Sequence, residues 1–208
     1  MKYYQIKPIY KDRTVFILGG GPSLPSSLDG LDLSNVPVIG VNNAFRFPNV
    51  DVLWFADSRF YWWYRKDVDK FKGLKLTYNR HPELMGSVEY IPGLNIVNGK
   101  PGAGISKTKI MFSASSGGSS INVAYKLGAK RVILLGFDMR YVGNESNWWD
   151  YSEFQEPRKI RRKPYDAFIN PFNKIKKDAE VLGLEILNAT PDSALDMFKF
   201  VEAHDYTK

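Results

Sequence analysis

The fold of this chain is decided by the stretch Val15-Phe16-Ile17-Leu18-Gly19-Gly20-Gly21-Pro22-Ser23-Leu24. Its four consecutive apolar residues are typical of a strand that is buried on both faces, as strands of a parallel sheet are. The three glycines that follow allow a sharp turn and a close approach of the backbone to a ligand. Ligands of open α/β sheets bind at the carboxyl ends of the strands. We therefore expect an anionic ligand over Gly19, Gly20, Gly21 and Ser23.

Two known glycine motifs do not fit this stretch. The dinucleotide-binding pattern Gly-x-Gly-x-x-Gly would need a glycine where Leu24 stands, and the P-loop would need Gly-Lys followed by Ser or Thr. An ordinary tight turn between a strand and a helix would use the same glycines. The stretch alone therefore leaves a ligand site and a plain turn as alternatives.

Further strands are predicted to end in residues that suit a ligand site. Apolar runs predict strands over residues 37–41, 51–57 and 131–138, and their carboxyl ends carry Asn42, Asn43, Asp57, Gly136 and Asp138. A turn or a helix cap is the alternative role for the two asparagines. Because parallel strands bring their carboxyl ends to one edge of a sheet, we expect these residues to form a small-molecule site there.

A serine- and glycine-rich segment opens the next predicted helix. Residues 113–120 precede apolar positions spaced for a helix that ends at Gly128. The first turn of a helix offers unpaired N–H groups, which together with hydroxyl groups suit an anion. We expect Ser115, Ser116 and Gly117 to supply that site, whereas capping of the helix by one serine is the simpler alternative.

The rest of the chain completes the pattern. An aromatic and basic helix is expected over residues 60–71, where core packing and stacking of nucleic acid bases would use the same residue types. The irregular segment 139–163 carries Tyr141 and ends in a basic run. We interpret it as a lid that faces an anionic substrate, with a flexible insertion as the alternative. A helix over residues 166–182, a strand over 184–187 and a short terminal helix are expected to follow.

These elements predict an α/β fold, namely a Rossmann-like, mostly parallel sheet with helices on both faces and a lid-like insertion near residues 139–163. The length of 208 residues suits one domain over residues 1–208. The net charge of +7 suggests an anionic partner such as a nucleotide, a nucleic acid or an acidic glycan, although it also serves solubility.

Composition excludes several kinds of site. The sequence has no cysteine, which excludes disulfides, cysteine-ligated zinc and thiol nucleophiles. Its two histidines, His81 and His204, are too few for a multi-histidine metal site. No apolar run approaches the roughly 18 residues that a membrane-spanning helix needs. We expect a cytoplasmic protein with no membrane partner.

The ordered set of motifs resembles a known group of proteins. Gly-Gly-Gly-Pro-Ser-Leu, Val-Asn-Asn, Ser-Ser-Gly, Leu-Gly-Phe-Asp and Asn-Ala-Thr-Pro-Asp-Ser follow one another between residues 14 and 198. This order resembles the bacterial CMP-sialic-acid-dependent sialyltransferases and their Rossmann-like relatives, which include the hydroxymethylpterin pyrophosphokinase type and small phage proteins. The resemblance implies a glycosyltransferase that takes a CMP-linked sugar as donor and requires no metal. The acceptor could be a glycan or, given the positive charge and the interleaved aromatic residues, modified DNA. The relatives often oligomerise, so a homo-oligomer is possible, and the location would be the host cytoplasm if a phage encodes the chain.

The resemblance also implies roles for individual residues. The glycine turn, the second asparagine and the serine cluster would hold the phosphate, ribose and sugar of the donor: Gly20, Gly21, Ser23, Asn43, Ser115, Ser116 and Gly117. Gly136 and Asp138 would line the cytidine pocket, and Tyr141 would bind the phosphate. Trp148 stands where the relatives keep a second tyrosine.

The catalytic part of the pattern departs from that of the sialyltransferases. They use a histidine as general base just after the lid, whereas residues 163–170 of this chain contain none. Asp166 stands near that place, and a carboxylate accepts a hydroxyl proton if burial raises its pKa. Asp166 is equally suited to cap the following helix.

Two other functions fit the same pattern. A pyrophosphokinase-like enzyme would use ATP and magnesium, with Asp57 and Asp138 as oxygen ligands. A phage protein that binds a nucleotide without catalysis would need no general base.

Overall fold

A computed structural model describes residues 3–78, 94–149 and 165–208 of the chain. The described strands are β1 Thr14–Leu18, β2 Val38–Val41, β3 Val52–Trp54, β4 Leu74–Thr77, β5 Leu94–Ile96, β6 Gly99–Lys100, β7 Ile110–Met111, β8 Arg131–Leu135, β9 Glu185–Asn188 and β10 Lys199–Phe200. The described α-helices are α1 Leu24–Leu28, α2 Ser58–Lys70, α3 Ser116–Lys126 and α4 Tyr165–Leu182, and short 3₁₀ helices span Asn42–Arg46 and Ala203–Tyr206.

One eight-stranded sheet forms the centre of the fold. Its strand order is β10-β9-β8-β1-β2-β3-β4-β5, and β6 pairs with β7 in a separate two-stranded sheet. Each of these pairings is parallel. The predicted α/β class and the mostly parallel sheet are therefore confirmed.

The central strand shows why its sequence is continuously apolar. Val15 and Ile17 pack with residues of α3 and α4 in one core cluster, whereas Phe16 and Leu18 pack with Leu24 of α1 in a second cluster. Successive side chains of a strand point to opposite faces, and here helices cover both faces. A polar residue at any of these positions would be buried without a partner.

The aromatic segment forms α2, and core packing is confirmed for most of its rings. Phe60, Tyr61 and Tyr64 are buried in a cluster with Leu53 of β3. This cluster lies on the same sheet face as α1, because Leu53 is in register with Gly40, which is in register with Leu18. Trp62, in contrast, is 38% exposed.

Several expectations need correction at the ends of elements. The turn over residues 188–195 leads into β10 rather than into a helix, and the chain then forms only the 3₁₀ helix Ala203–Tyr206. Residues 139–149 of the expected lid form turns with a bridge between Val142 and Glu145. Residues 150–163, with the basic run of that lid, lie outside the described residues, as does His81. None of the described helices has the length and apolar character needed to cross a bilayer.

Candidate functional site

A cavity of about 690 Å³ opens at the carboxyl edge of the main sheet. Its lining follows the sheet order, from the end of β8 across β1, β2 and β3 to the end of β4, with the first turn of α3 above it. Most of the residues predicted to bind a ligand line it: Gly19, Gly20, Gly21, Asn42, Asp57, Ser115, Ser116, Gly117, Gly136 and Asp138. The expected convergence of strand ends is therefore present in the fold.

The glycine turn packs tightly against the turn that follows β8. Backbone N–H groups of Gly19 and Gly21 donate to the carbonyl oxygens of Leu135 and Gly136, at 2.8 and 2.7 Å. A Cβ atom on Gly19 would lie 2.5 Å from the Gly136 oxygen, and one on Gly21 would clash with the Asp138 carboxylate. Contacts within the protein thus already require glycine at both positions, before any ligand is considered.

Asp138 is the buried acid of this site, with 1% of its surface exposed. Its carboxylate accepts hydrogen bonds from the Ser23 hydroxyl at 2.9 Å and from the Ser23 backbone N–H at 3.3 Å. Burial raises the pKa of the Asp138 carboxyl above its ordinary value, and the hydrogen bonds from Ser23 oppose that shift. Ser23 is not among the lining residues, so its contact with the cavity runs through Asp138.

The turn after β9 is hydrogen-bonded to the lining residues that follow β8. The Thr190 hydroxyl oxygen accepts from the Phe137 N–H at 3.0 Å, and the Ser193 hydroxyl donates to the Phe137 carbonyl at 2.6 Å. The Ala194 N–H donates to the Asp138 carbonyl at 2.9 Å. The Asn-Ala-Thr-Pro-Asp-Ser motif therefore positions the segment Gly136 to Asp138, a role that its sequence did not reveal.

The two asparagines carry amide atoms that no described group satisfies. Asn42 lines the cavity in a left-handed conformation, with φ of 52°, and its buried Oδ1 has no hydrogen-bond partner in the described structure. Asn43 is fully buried and does not line the cavity. Its Nδ2 and Oδ1 atoms also have no hydrogen-bond partner in the described structure. Buried polar groups are seldom left without a partner, so a ligand group or ordered water is expected beside them.

The serine cluster is held firmly at the cavity. Ser115 caps α3, since its hydroxyl accepts from the Gly118 N–H at 3.0 Å. The Trp54 indole N–H donates to the Ser116 carbonyl at 3.1 Å and to the Ser119 hydroxyl at 3.0 Å, which fixes the helix start above β3. The backbone N–H groups of Ser116 and Gly117 belong to the first turn, whose donors have no partner inside the helix.

The aromatic and basic part of the lining was missed in the sequence. Its members come from strand ends, from loops, from α2 and from α4: Arg59, Tyr78, Phe112, Phe137, Trp149, Tyr165 and Phe168. Tyr78 directly follows β4, so the rule that placed Asp57 would also have placed it. Trp149 covers the glycine turn, because a Cβ atom on Gly20 would lie 2.7 Å from its ring. No sequence signal indicated that loop residue.

The two residues predicted to be catalytic stand at the margin of the site. Tyr141 contacts the ring of Tyr165 edge-on, with 5.3 Å between centroids, and Tyr165 lines the cavity. Asp166 lies exposed in the first turn of α4. Neither Tyr141 nor Asp166 is among the described lining residues, so both roles stay predictions.

The two carboxylates considered as magnesium ligands are far apart. Asp57 follows β3 and Asp138 follows β8, and these strands are separated by β1 and β2. At about 4.8 Å per strand, the two strand ends lie roughly 14 Å apart, too far for one ion to contact both. Among the described residues, no group of three or more acidic or histidine side chains is placed to hold a metal.

The fold is similar to that of solved sialyltransferases. Sialyltransferase CstII from Campylobacter jejuni, in complex with a substrate analogue, cytidine-5'-monophosphate, matches with a TM-score of 0.60 and 16% identity over 92% of this chain and 86% of that chain. The monofunctional alpha-2,3-sialyltransferase Cst-I from the same organism matches with a TM-score of 0.62 and 14% identity over 93% and 82%. CST-II in complex with a trisaccharide acceptor and CMP matches with a TM-score of 0.55 and 15% identity.

Comparison of the sequence with family models and with curated proteins finds no match. At 14 to 16% identity, the solved structures establish a shared fold, a Rossmann-like α/β architecture similar to that of the sialyltransferases.

Proposed function

We propose that this chain is a glycosyltransferase that binds a nucleotide sugar of the CMP type in the cavity and transfers the sugar to a hydroxyl group. One observation carries the proposal: residues from five separate sequence motifs line or support one cavity at the carboxyl edge of a parallel sheet. The similarity to folds solved with CMP supports the choice of nucleotide.

The nucleotide is proposed to lie across the ends of β8, β1 and β2. Gly136 and Asp138 would face the cytidine, and the first turn of α3 would face the phosphate. A helix N-terminus carries a partial positive charge and N–H donors, which suit that anion. Asn42 lines the cavity, and its Oδ1 atom would gain in the complex the hydrogen bond that it lacks in the described structure.

The reaction would be a displacement at the anomeric carbon. The acceptor oxygen forms a bond to that carbon while the bond from carbon to the phosphate oxygen breaks, and CMP leaves with the electron pair. The hydroxyl proton passes to a base, for which we retain Asp166. Tyr141 would donate a hydrogen bond to the departing phosphate.

Nucleotide binding without chemistry is the second candidate function. It is favoured by the position of Asp166, whose exposed side chain lies outside the described lining, and by the lack of histidine in that lining. The cavity and its nucleotide contacts would be the same in both functions. Only the release of CMP from a CMP-sugar would distinguish the enzyme from the binding protein.

A thermal-shift series tests the proposal. CMP, CDP, UMP, GMP, AMP and ATP are each added with and without magnesium, and a ligand at 100 times its Kd is expected to stabilise the fold by about 2.7 kcal/mol. A metal-independent shift with CMP supports the proposal. A shift with ATP that needs magnesium supports a pyrophosphokinase instead, and no shift with any nucleotide contradicts nucleotide binding.

Hydrolysis of a CMP-sugar then separates the two candidate functions. We expect Asp166→Asn to lower the release of CMP at least about tenfold, as removal of a general base does. Glu180→Gln, at another exposed acid of α4, is the matched control and is expected to keep full activity. Binding of CMP without release of CMP from any tested sugar would establish the non-catalytic function.

A further inference from the structure

The β3–β4 end of the cavity, formed by Arg59, Tyr78 and Phe112, has no role in the proposed nucleotide complex. The cavity edge runs over five strand ends from β8 to β4, which is about 19 Å at the usual strand spacing. The proposed nucleotide contacts take the ends of β8, β1 and β2. Two strand ends are thus left for another ligand group.

A rigid aromatic wall forms one side of this end. The rings of Tyr78 and Phe112 are stacked, with centroids 4.2 Å apart, and Trp54 packs edge-on against Tyr78 at 5.3 Å. The backbone at Gly99 packs directly against both rings, because a Cβ atom there would lie 2.6 Å from Phe112 and 2.7 Å from Tyr78. Such a preformed surface suits the C–H face of a sugar ring, since an aromatic face carries negative charge density.

The hydroxyl group of Tyr78 stays uncharged at this wall. Burial raises the pKa of Tyr78 to about 12, with a hydrogen bond to Ser119 acting against the shift. The phenol therefore keeps its proton at neutral pH. The wall itself then brings no negative charge to the ligand.

A fixed cation stands beside the aromatic wall. Among the described residues that line the cavity, Arg59 is the only cation. Asp57 accepts from its Nε at 3.0 Å and from its Nη2 at 2.5 Å, which holds the guanidinium plane in place. The Arg59 side chain is 59% exposed, and Asp57 occupies the Nε–Nη2 edge of its guanidinium, whose other edge, Nη1–Nη2, also matches the oxygens of a carboxylate or phosphate. Arg59 also lies in the first turn of α2, where the helix dipole favours an anion.

We propose that the β3–β4 end is the subsite of the second substrate, a sugar that carries a carboxylate or a phosphate group. Arg59 binds the anionic group, and the stacked rings of Tyr78 and Phe112 contact the sugar ring. The assignment of this ligand as an acceptor rests on the proposed glycosyl transfer, whereas the binding of an anionic sugar does not.

Binding of three small sugars to the full chain tests this proposal. Glucuronate, glucose 6-phosphate and glucose share a ring and differ in charge, and their Kd values are measured by saturation-transfer NMR with and without CMP. We expect at least one anionic sugar to bind about tenfold or more tighter than glucose, because a charge-assisted hydrogen bond contributes about that factor. Glucuronate and glucose 6-phosphate distinguish the carboxylate from the phosphate. Equal binding of all three, or no binding, overturns the proposal.

A pair of arginine variants assigns the effect to Arg59. Arg59→Met is expected to remove the preference for the anionic sugar, whereas Arg65→Met is expected to keep it. Arg65 is the matched control because it lies on the same helix, pairs with Asp69 at 3.6 Å and does not line the cavity. A preference that survives Arg59→Met contradicts the proposal.

The same samples separate this subsite from the proposed function. If the anionic sugar competes with CMP, or if Arg59→Met weakens CMP binding equally, Arg59 serves the nucleotide and the second subsite is refuted. If the chain binds the anionic sugar but not CMP, the proposed function fails and the subsite stands.

Discussion

The two ends of the cavity are built in different ways. At the β8–β1 end, two glycine-containing turns pack backbone against backbone, and Thr190 and Ser193 hold one of them through buried hydrogen bonds. At the β3–β4 end, side chains from separate parts of the chain meet, and a stacked pair of rings forms the surface. We infer that the first end depends on backbone fit and the second on side-chain chemistry, so substitutions should affect the first through stability and the second through binding.

The largest effect on the free energy of unfolding is expected for Gly21→Ala. The new Cβ atom would clash with the Asp138 carboxylate and lie 2.7 Å from the Gly136 oxygen, both in a buried turn. We expect a loss of about 3 kcal/mol in the free energy of unfolding, the upper range for overpacking, measured by urea denaturation. Gly30→Ala is the control, because a Cβ atom there meets no neighbour and adds only the cost of a left-handed conformation, about 1 kcal/mol. Equal losses in both variants would show that close packing does not define this end.

A slightly smaller effect is expected for Thr190→Val. The variant keeps the side-chain shape but removes the acceptor for the Phe137 N–H and the donor to the Leu134 carbonyl. A buried N–H left without a partner costs about 2 kcal/mol. The control is Thr108→Val, at an exposed threonine. We expect urea denaturation to show almost no change in its free energy of unfolding. A stable Thr190→Val variant would mean that the turn after β9 does not support the cavity.

The Asp138→Asn variant tests the electrostatic part of the first end. Burial raises the pKa of Asp138 in the folded state, so the folded protein binds this proton more tightly than the unfolded chain does. Its contribution to stability is greatest below the unfolded pKa and declines as pH rises through the raised folded pKa. The free energy of unfolding of wild type should therefore fall relative to that of Asp138→Asn as the pH rises across that window.

Urea denaturation from acid to neutral pH measures this difference. The same substitution at an exposed acid, Asp29→Asn, measured in the same way, is the matched control. A difference that is independent of pH would contradict the raised pKa. A protonated Asp138 would offer the ligand a hydrogen-bond donor rather than a negative charge.

The smallest effect on the free energy of unfolding is expected for a substitution at Trp149, which covers the glycine turn. Its ring lies where a ligand would approach Gly20, so CMP bound there should change the Trp149 fluorescence. We expect a change in tryptophan emission on adding CMP that is lost in Trp149→Phe, with little effect on the free energy of unfolding. The partly exposed Trp62→Phe, distant in sequence and outside the lining, should retain the change. A signal that persists in Trp149→Phe would place the nucleotide away from Gly20.

Predictions made from the sequence succeeded where they depended on one strand and its end. The run from Val15 to Leu18 forms β1, and the glycines after it reach the cavity. The same holds for Asp57 and Asp138, because the end of a parallel strand fixes the edge at which a residue lies. The predicted end of α3 at Gly128 is also present, and Ser115 takes the capping role that was considered as the alternative for one serine, since both features depend on neighbouring residues.

Predictions were incomplete where a role depends on residues distant in the chain. Ser23 reads as part of a phosphate loop, yet it donates to Asp138, which lies 115 residues away in sequence. The expected terminal helix is wrong because the segment after Leu195 instead reaches the sheet edge and pairs with β9. Phe112 carries no local signal, since only the packing of its ring on Tyr78 makes it part of the cavity.

The amino-acid sequence alone was enough to predict the α/β class, the buried parallel strands and the sheet edge at which the cavity opens. These follow from apolar runs, glycines and caps, which act through neighbours along the chain. Three features became known only from the folded structure: the turn after β8 requires Gly19 and Gly21, Asp138 is buried, and Arg59 lines the same cavity. Burial, pKa and the lining of a cavity are set by groups that meet only when distant segments pack together.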